Sequence, residues 1–362
     1  SFLTAKIMEV ELKNFYLSVC ITDDFMNAVE YDGDYNLVFN DIIYNALSAH
    51  EIWETIIDGA WKNGEPGIVF LDTINRNNPL RPLGEIEATN PCGEQPLLPY
   101  CSCNLGSINL SRMVSGDWIE GNAKIDWEKL RNIVQIGVRF LDSVITVNHY
   151  PIVEIEEMTL KTRQIGLGIM GFADMCIKLH IRYGSDESVN LAKEIMTFIY
   201  DIANETSVGL GKEKGVAPVY DDYEFSVPKR RNGTLTTVAP TGTLSLIANC
   251  SSGCEPNFSF SYTKECLEGE KLDMVPDVVR EWYAKKRTES LPDFFVTTND
   301  VSVEQHIMIQ AAFQNNGVDS GVSKTINAPY HTDKSEVSQA FFKAWEMGCK
   351  GITFYREGSR DV

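Results

Sequence analysis

The chain is predicted to fold as α/β, with strands and helices alternating in βαβ units. Three observations carry that expectation. Short apolar or β-branched runs of strand length recur at Ile68-Val69-Phe70-Leu71, at Gly233-Thr234-Leu235-Thr236-Thr237-Val238-Ala239 and at Gly351-Ile352-Thr353-Phe354-Tyr355. Between them lie longer stretches with apolar residues at helical spacing, opened by N-cap residues. No repeat, low-complexity tract or linker interrupts the 362 residues, so residues 1–362 are expected to form one domain.

In chain order, residues 1–19 are loosely helical, with Phe2, Leu3, Ile7, Val10, Leu12, Phe15 and Val19 apolar. Leu37-Val38-Phe39 is a short apolar segment. Ser48 followed by Glu51 has the form of a capping box. It opens a helix through Ile52, Ile56, Ile57 and Trp61, which Asn63-Gly64-Glu65-Pro66-Gly67 ends. A polar stretch, 72–90, leads to a loop punctuated by Pro96 and Pro99. Asp126 caps a helix through Leu130, Ile133, Val134, Val138, Leu141 and Ile145, which stops before Tyr150-Pro151. Another helix runs from Ser185 to Lys214, with Gly215 as terminator. After the 233–239 strand, Ser302 to Gln305 caps a helix over 307–314, and Ser323-Lys324-Thr325-Ile326 is strand-like. Thr332 starts a helix that ends near Met347-Gly348, before the last strand at 351–355.

The net charge is −19 with no lysine- or arginine-rich run, which argues against a nucleic-acid-binding surface. An anionic substrate therefore needs a local site. The cysteines at 20, 92, 101, 103, 176, 250, 254, 266 and 349 are an odd number in a long chain without a signal peptide or an 18-residue apolar run. That points to a reduced, cytoplasmic setting with no membrane partner, where clustered thiols do chemistry or bind metal. Asn232-Gly233-Thr234 matches a glycosylation acceptor, but nothing else indicates secretion. The opening directly on an amphipathic segment at Ser1 is expected of a piece of a longer protein.

The candidate chemistry centres on Asn90-Pro91-Cys92-Gly93-Glu94, with Cys101 and Cys103 on the return limb. Pro91 biases Asn90 toward extended backbone, and alternate residues of an extended chain face one way. Asn90, Cys92 and Glu94 then present a carboxamide, a thiol and a carboxylate together, and Gly93 permits close approach. Alone, such a pattern is more often ordinary buried small residues. A hydrolytic cysteine would need a histidine base, and His50 and His149, the nearest in sequence, stand in no recognisable context. Two further thiols favour electron transfer through a disulfide.

Pro240-Thr241-Gly242-Thr243-Leu244-Ser245 lies between a strand and a helix, where amide groups and the helix dipole hold phosphate without a basic residue. Thr241, Thr243 and Ser245 add hydroxyls, although a simple capped turn uses the same residues. Gly166-Leu167-Gly168-Ile169-Met170-Gly171 has dinucleotide-loop spacing, but a strand must precede such a loop and residues 156–163 do not read as one. Close helix packing is the expected role of these glycines. Cys250 and Cys254 with Cys101 and Cys103 could be imagined as a zinc site, yet only one pair has the usual spacing. No metal is expected.

Several segments in order resemble the catalytic subunit of ribonucleotide reductase, in its adenosylcobalamin-dependent class II. They are Asn90 to Glu94 with Cys103-Asn104-Leu105-Gly106-Ser107, Arg163 to Gly168 through Gly171-Phe172-Ala173-Asp174, Ala239 to Thr243, Ser323 to Asn327, and Gly348 to Thr353. The resemblance covers nearly the whole chain. It implies a ten-stranded α/β barrel of two five-stranded halves around a finger loop, and reduction of ribonucleotides to 2′-deoxyribonucleotides. By that resemblance Cys92 would be the thiyl radical, Glu94 the base on the 3′-hydroxyl and Asn90 the group orienting the sugar. Cys103 would be one of two reducing thiols, and Pro240, Thr241, Gly242, Thr243 and Leu244 would hold the phosphates. The implied cofactor is adenosylcobalamin; the implied partners are a ribonucleotide substrate, deoxynucleotide effectors, a thioredoxin-like reductant and a second copy in a homodimer. Class I, with a separate radical-generating subunit, is the alternative; its paired tyrosines are replaced here by Phe354-Tyr355. A non-catalytic thiol or zinc module, or an inactive fragment, is the other. The resemblance also places the redox partner of Cys103, the effector loops and a cysteine-bearing tail outside this chain, which is expected to be an internal fragment or a reduced version.

Overall fold

The computed structural model describes residue 3 and residues 15–225, 228–265, 271–287 and 290–359. Cys266 and most of the expected first helix lie outside these residues, and the end of that segment belongs to a strand, Ser18–Ile21.

The architecture is mixed α/β. Four strands form one sheet in the order Ser18–Ile21, Gly67–Phe70, Gly351–Arg356, Thr325–Ala328. Its outer pairs are parallel, and the central pair, Gly351–Arg356 on Gly67–Phe70, is antiparallel. A second, parallel pair joins Asn104–Asn109 to Ile165–Met170. Segment 234–238 links the two groups. On one side the N–H groups of Ile165 and Leu167 donate to Thr234 and Leu235 (3.1 and 2.8 Å). On the other, Val238 donates to Gly321 and Ser323 to Val238 (3.0 and 2.8 Å). The result is one hydrogen-bonded row of extended segments. Among the described residues the row is open, and no closed ten-stranded barrel is formed. Segment 233–239, expected as a strand, makes isolated bridges at Thr236 and Val238 instead of a full ladder.

Helices back this row. Trp127–Val147 buries Leu130, Val134, Val138, Leu141 and Ile145, each worth about 1.5–3 kcal/mol when fully buried. Its cap is Asp126, which accepts from Lys129 N–H (3.0 Å). Asp186–Lys214 starts at Ser185 and ends at Gly215 as expected. Val303–Gln314 opens with a reciprocal Ser302–Gln305 box, four residues ahead of its predicted start. Lys334–Glu346 is capped by Asp333 with Glu336 and not by Thr332, because the carboxylate at 333 can reach the Glu336 N–H (2.9 Å). With Ala49–Asn63, whose cap Ser48 accepts from Glu51, that helix covers the four-stranded sheet through Trp53, Phe341 and Phe354.

Gly166 and Gly168 lie inside a strand, not after one, and Gly171 caps the next helix; the close neighbour of the first two is the extended segment 234–238. A Cβ on Gly168 would sit 2.1 Å from the Thr237 carbonyl, and one on Gly166 would meet Leu105, Thr237 and Gln95 at 2.6–2.9 Å. The expected helix packing is therefore replaced by strand and finger packing, because segment 234–238 runs directly across both glycines.

Gly168→Ala is expected to cost about 1–3 kcal/mol by overpacking, read as a lower urea midpoint. Gly209→Ala, at an exposed helical glycine with open space around it, should instead gain up to about 1 kcal/mol. Equal midpoints for the two variants would contradict the packing argument.

Candidate active site

Two short paired segments, Ala88–Thr89 and Pro96–Leu97, form the stem of a finger. At its tip Asn90 closes the turn on itself: its N–H donates to the Gln95 carbonyl (3.1 Å) and its Oδ1 accepts from the Gln95 N–H (3.0 Å). The Nδ2 donors of Asn90 stay free among the described residues. Gly93 has φ +79° and open space where a side chain would stand, so Cys92 is presented on the open side of the tip, exposed to solvent.

The tip is tied down at Glu94. Its carbonyl accepts from the Gly321 N–H and from the Thr237 hydroxyl, both at 2.8 Å. Gly321 is obligatory here, since a Cβ would stand 2.6 Å from the Gly93 carbonyl. The Glu94 side chain is 4% exposed, and its Oε2 has no partner among the described residues. A buried carboxylate oxygen without a donor fits a hydroxyl that arrives with a substrate.

Glu94 is also the common neighbour of two thiols. Desolvation and then the Glu94 charge push the Cys92 thiol up. Cys103 is pushed well up by its enclosure, then by Cys101 and Glu94. Both therefore remain S–H at neutral pH, suited to giving and taking hydrogen and not to thiolate attack. Three of the five histidines are engaged elsewhere: His50 pairs with Glu54, His180 stacks on Phe294, and His306 accepts from Lys324. Asn90, Cys92 and Glu94 thus share the finger tip, and the Glu94 charge acts on both Cys92 and Cys103. Cys101 adjoins it, with Gln164 and Thr162 near its sulfur.

Thr237 leads along extended chain to the second expected group. Thr241 lies four residues on, at most roughly 13 Å away. It takes φ +52° before the helix Gly242–Ala248. The amides of Gly242, Thr243 and Leu244 precede the first intrahelical bond, Ser245 N–H to the Thr241 carbonyl, and Gly242 faces open space. Thr241 Oγ1 accepts from Gly253 N–H (2.8 Å) and keeps its own proton to donate. Ser245, expected as a phosphate donor, is instead committed to the Gly242 carbonyl and Ser252 Oγ, because its side chain turns inward, where it is buried.

Sequence reasoning missed the groups that brace this loop. Buried Asp174 accepts from Ser251 N–H and Asn257 Nδ2 (2.8 and 3.0 Å), and Gly171 N–H donates to Ser251. Burial pushes the Asp174 carboxyl up against the pull of those bonds. A cavity of about 270 Å³ follows, with Asn249, Ser252, Glu255, Asn257 and Asn327 in its wall. Glu255 receives Lys324 Nζ and Thr325 N–H, both at 2.6 Å, and Lys324 also meets His306 Nδ1 at 2.9 Å. Among the described residues no three His, Cys, Asp or Glu side chains form a metal-sized cluster, and no helix is long and apolar enough to cross a membrane.

Comparison with known proteins returns a family model described as ribonucleotide reductase, barrel domain, over residues 1–230 and 228–355. Over 97% of its length the chain is 43% identical to a vitamin B12-dependent ribonucleoside-diphosphate reductase of Thermoplasma acidophilum, covering 48% of that protein. It is 40% identical over 99% of its length to the protein of the same name from Mycobacterium tuberculosis H37Rv, covering 54%. Against the ribonucleoside-diphosphate reductase subunit alpha of Chlamydia muridarum the identity is 27% over 88%, covering 36%. The chain spans about half the length of the B12-dependent relatives.

Burial and the Lys324 charge lower His306 to about 2, so the fold holds it neutral while the unfolded chain protonates it below about pH 6.5. Stability is then lost as pH falls from about 6.5, by up to about 1.4 kcal/mol per unit. His306→Gln, which keeps an acceptor for Lys324, is expected to flatten the decline in Tm between about pH 6.5 and 5; an unchanged slope would refute this.

Proposed function

Because the chain belongs to the ribonucleotide reductase barrel-domain family, we propose that it carries the catalytic centre of a class II enzyme that reduces ribonucleoside diphosphates to 2′-deoxyribonucleotides. The observation that carries the reading is the clamped finger. Its buried Glu94 has an unpartnered oxygen between two protonated thiols, and a single extended segment connects it to an amide-rich loop.

In this reading the phosphates bind the amides of Gly242, Thr243 and Leu244 and the hydroxyl of Thr241, with Pro240 rigidifying the entry. An acidic protein thereby holds an anion without basic side chains. Asn90 donates through Nδ2 to the sugar. Cys92, as thiyl radical, takes the 3′-hydrogen, and Glu94 Oε2 accepts the proton of the 3′-hydroxyl. The 2′-hydroxyl, next to the radical carbon, leaves as water. Cys103 and a second thiol supply the two electrons and become a disulfide, and Cys92 returns hydrogen to C3′. Adenosylcobalamin, when bound, supplies the radical initiation. The exposed Cys92 and the empty space at Gly93 fit approach of a large group from that side.

Class II is favoured over class I because the B12-dependent relatives are the more similar and only Tyr355 stands where paired tyrosines would relay a radical. The names of those relatives favour diphosphate substrates. In the whole enzyme the open strand row would close into the ten-stranded barrel around the finger, with deoxynucleotide effectors, a thioredoxin-like reductant, a homodimer and a cytoplasmic location.

The test is deoxynucleotide formation from a ribonucleoside diphosphate with adenosylcobalamin, in a protein that joins this chain to the flanking segments of its Thermoplasma relative. Cys92→Ser should abolish it. Turnover that survives Cys92→Ser, or that needs a separate radical-generating protein, would sink the reading. Gly321→Ala, which pushes on the finger by way of the Gly93 carbonyl, should lower kcat by about 10²-fold with the fold retained by circular dichroism; full kcat would mean the clamp does not position the site.

A further inference from the structure

We propose that Lys350 is a positioning residue for Glu94, gripping from behind the two peptide units that clamp the finger. Its effect on turnover rests on the reductase reading; its effect on the clamp does not.

Lys350 directly precedes the last strand, Gly351–Arg356, and its carbonyl accepts from Phe70 N–H (3.0 Å). Its backbone is thereby fixed at the head of the four-stranded sheet. The side chain is buried, and Nζ donates to the carbonyls of Asp319 and Ser320 (2.6 and 2.8 Å). Each of these carbonyls is one end of a planar trans peptide, whose N–H points the opposite way. The 319–320 peptide donates through Ser320 N–H to the Thr236 carbonyl (3.0 Å). The 320–321 peptide donates through Gly321 N–H to the Glu94 carbonyl (2.8 Å). One ammonium therefore holds the near ends of two successive peptides, and their far ends hold segment 234–238 and the finger.

This stretch of backbone calls for a cation. Two adjacent carbonyl oxygens aimed at one point repel each other, and a positive charge between them reverses that repulsion. Burial pulls Lys350 down to about 8 against the attraction of Asp319, so near neutral pH it carries its charge. The Asp319 carboxylate is itself engaged elsewhere, by Leu235 N–H (2.8 Å) and Arg230 Nη2 (3.4 Å). Gln314 Nε2 also reaches the Ser320 carbonyl, but at 3.2 Å and without charge. A charged donor makes a hydrogen bond about twice as strong as a neutral one. Because Glu94 Oε2 has no partner among the described residues, the carboxylate takes its place from the main chain that Gly321 and Thr237 hold.

There is space for a larger cation at the same position. Lys350 lines a small void shared with Pro96 and Leu98 of the finger, and an open groove of about 470 Å³ shared with Tyr200 and Asn316.

The test combines amide hydrogen exchange, read by mass spectrometry, with kcat and KM in the protein joined to its flanking segments. Lys350→Met keeps the stem and removes the donors. Peptides covering 319–323 and 88–97 should then exchange about tenfold faster or more, the loss of a charge-assisted hydrogen bond. Peptides from the helix Trp127–Val147 should not change. kcat should fall by about tenfold to 10²-fold, with KM for the ribonucleotide within about twofold, since the Gly242–Leu244 amides are untouched. Lys350→Arg, which keeps charge and donors, should restore most of both. If Lys350→Met does not fold, Lys350→Gln, a shorter uncharged donor, carries the same comparison. Exchange that rises equally in Trp127–Val147 would show lost stability alone and would overturn the proposal. So would unchanged exchange at 319–323, a rise in KM in place of the fall in kcat, or an Lys350→Arg protein no better than Lys350→Met. Faster exchange confined to the clamp and the finger, in a protein whose parent forms no deoxynucleotide, would support the positioning and count against the reductase reading instead.

Discussion

The arrangement of the site depends on one backbone oxygen. The Glu94 carbonyl takes two donors, the Gly321 amide and the Thr237 hydroxyl, and through them the finger is held against the inner row of extended segments. The same Thr237 hydroxyl also reaches the Gly321 carbonyl at 3.1 Å, so three parts of the chain distant in sequence meet at one point. The glycines at 166, 168 and 321 are the steric counterpart of this junction. Each lacks a side chain where one would collide with the finger or with segment 234–238. Small residues here are a condition of the approach, and the chemistry at the tip inherits its position from them.

Buried charge holds the outer frame of the same junction. Asp142, fully buried in the helix Trp127–Val147, accepts from Arg163 Nε and Nη2 (2.9 and 2.7 Å), Arg231 Nε (3.2 Å) and Asn232 Nδ2 (3.3 Å). These groups stand just before the strand Ile165–Met170 and segment 234–238. Such a network adds little net stability, because desolvation offsets the attraction, but removal of one member leaves a buried charge unpaired. Its value here is registration: it sets where two neighbouring extended segments begin.

In the proposed reading, the site would suppress charge where hydrogen chemistry is needed and use backbone where charge would be expected. Cys92 and Cys103 are kept as thiols by enclosure and by Glu94, which disfavours a nucleophilic cysteine mechanism. The proposed anion site would draw on amides at the start of Gly242–Ala248, consistent with a chain of net charge −19 and no basic run.

Much was legible in the sequence because it is local. N-caps at Asp126, Ser185 and Ser302, the terminators Gly64 and Gly215, and the helical stripe from Leu130 to Ile145 follow from short-range hydrogen bonding and spacing. That Asn90, Cys92 and Glu94 share one short loop was legible too, because they lie within five residues of one another. Tertiary structure decided what depends on distant neighbours. Asn90 spends its oxygen on its own turn, Ser245 turns inward, and Gly166 and Gly168 serve close backbone contact because segment 234–238 crosses them. Thr237, Gly321, Asp174 and the Glu255–Lys324–His306 chain carry no local signature, since their partners lie far off in sequence. The chain sequence alone determined which groups could react; only the packing of strand against finger decided which of them face one another.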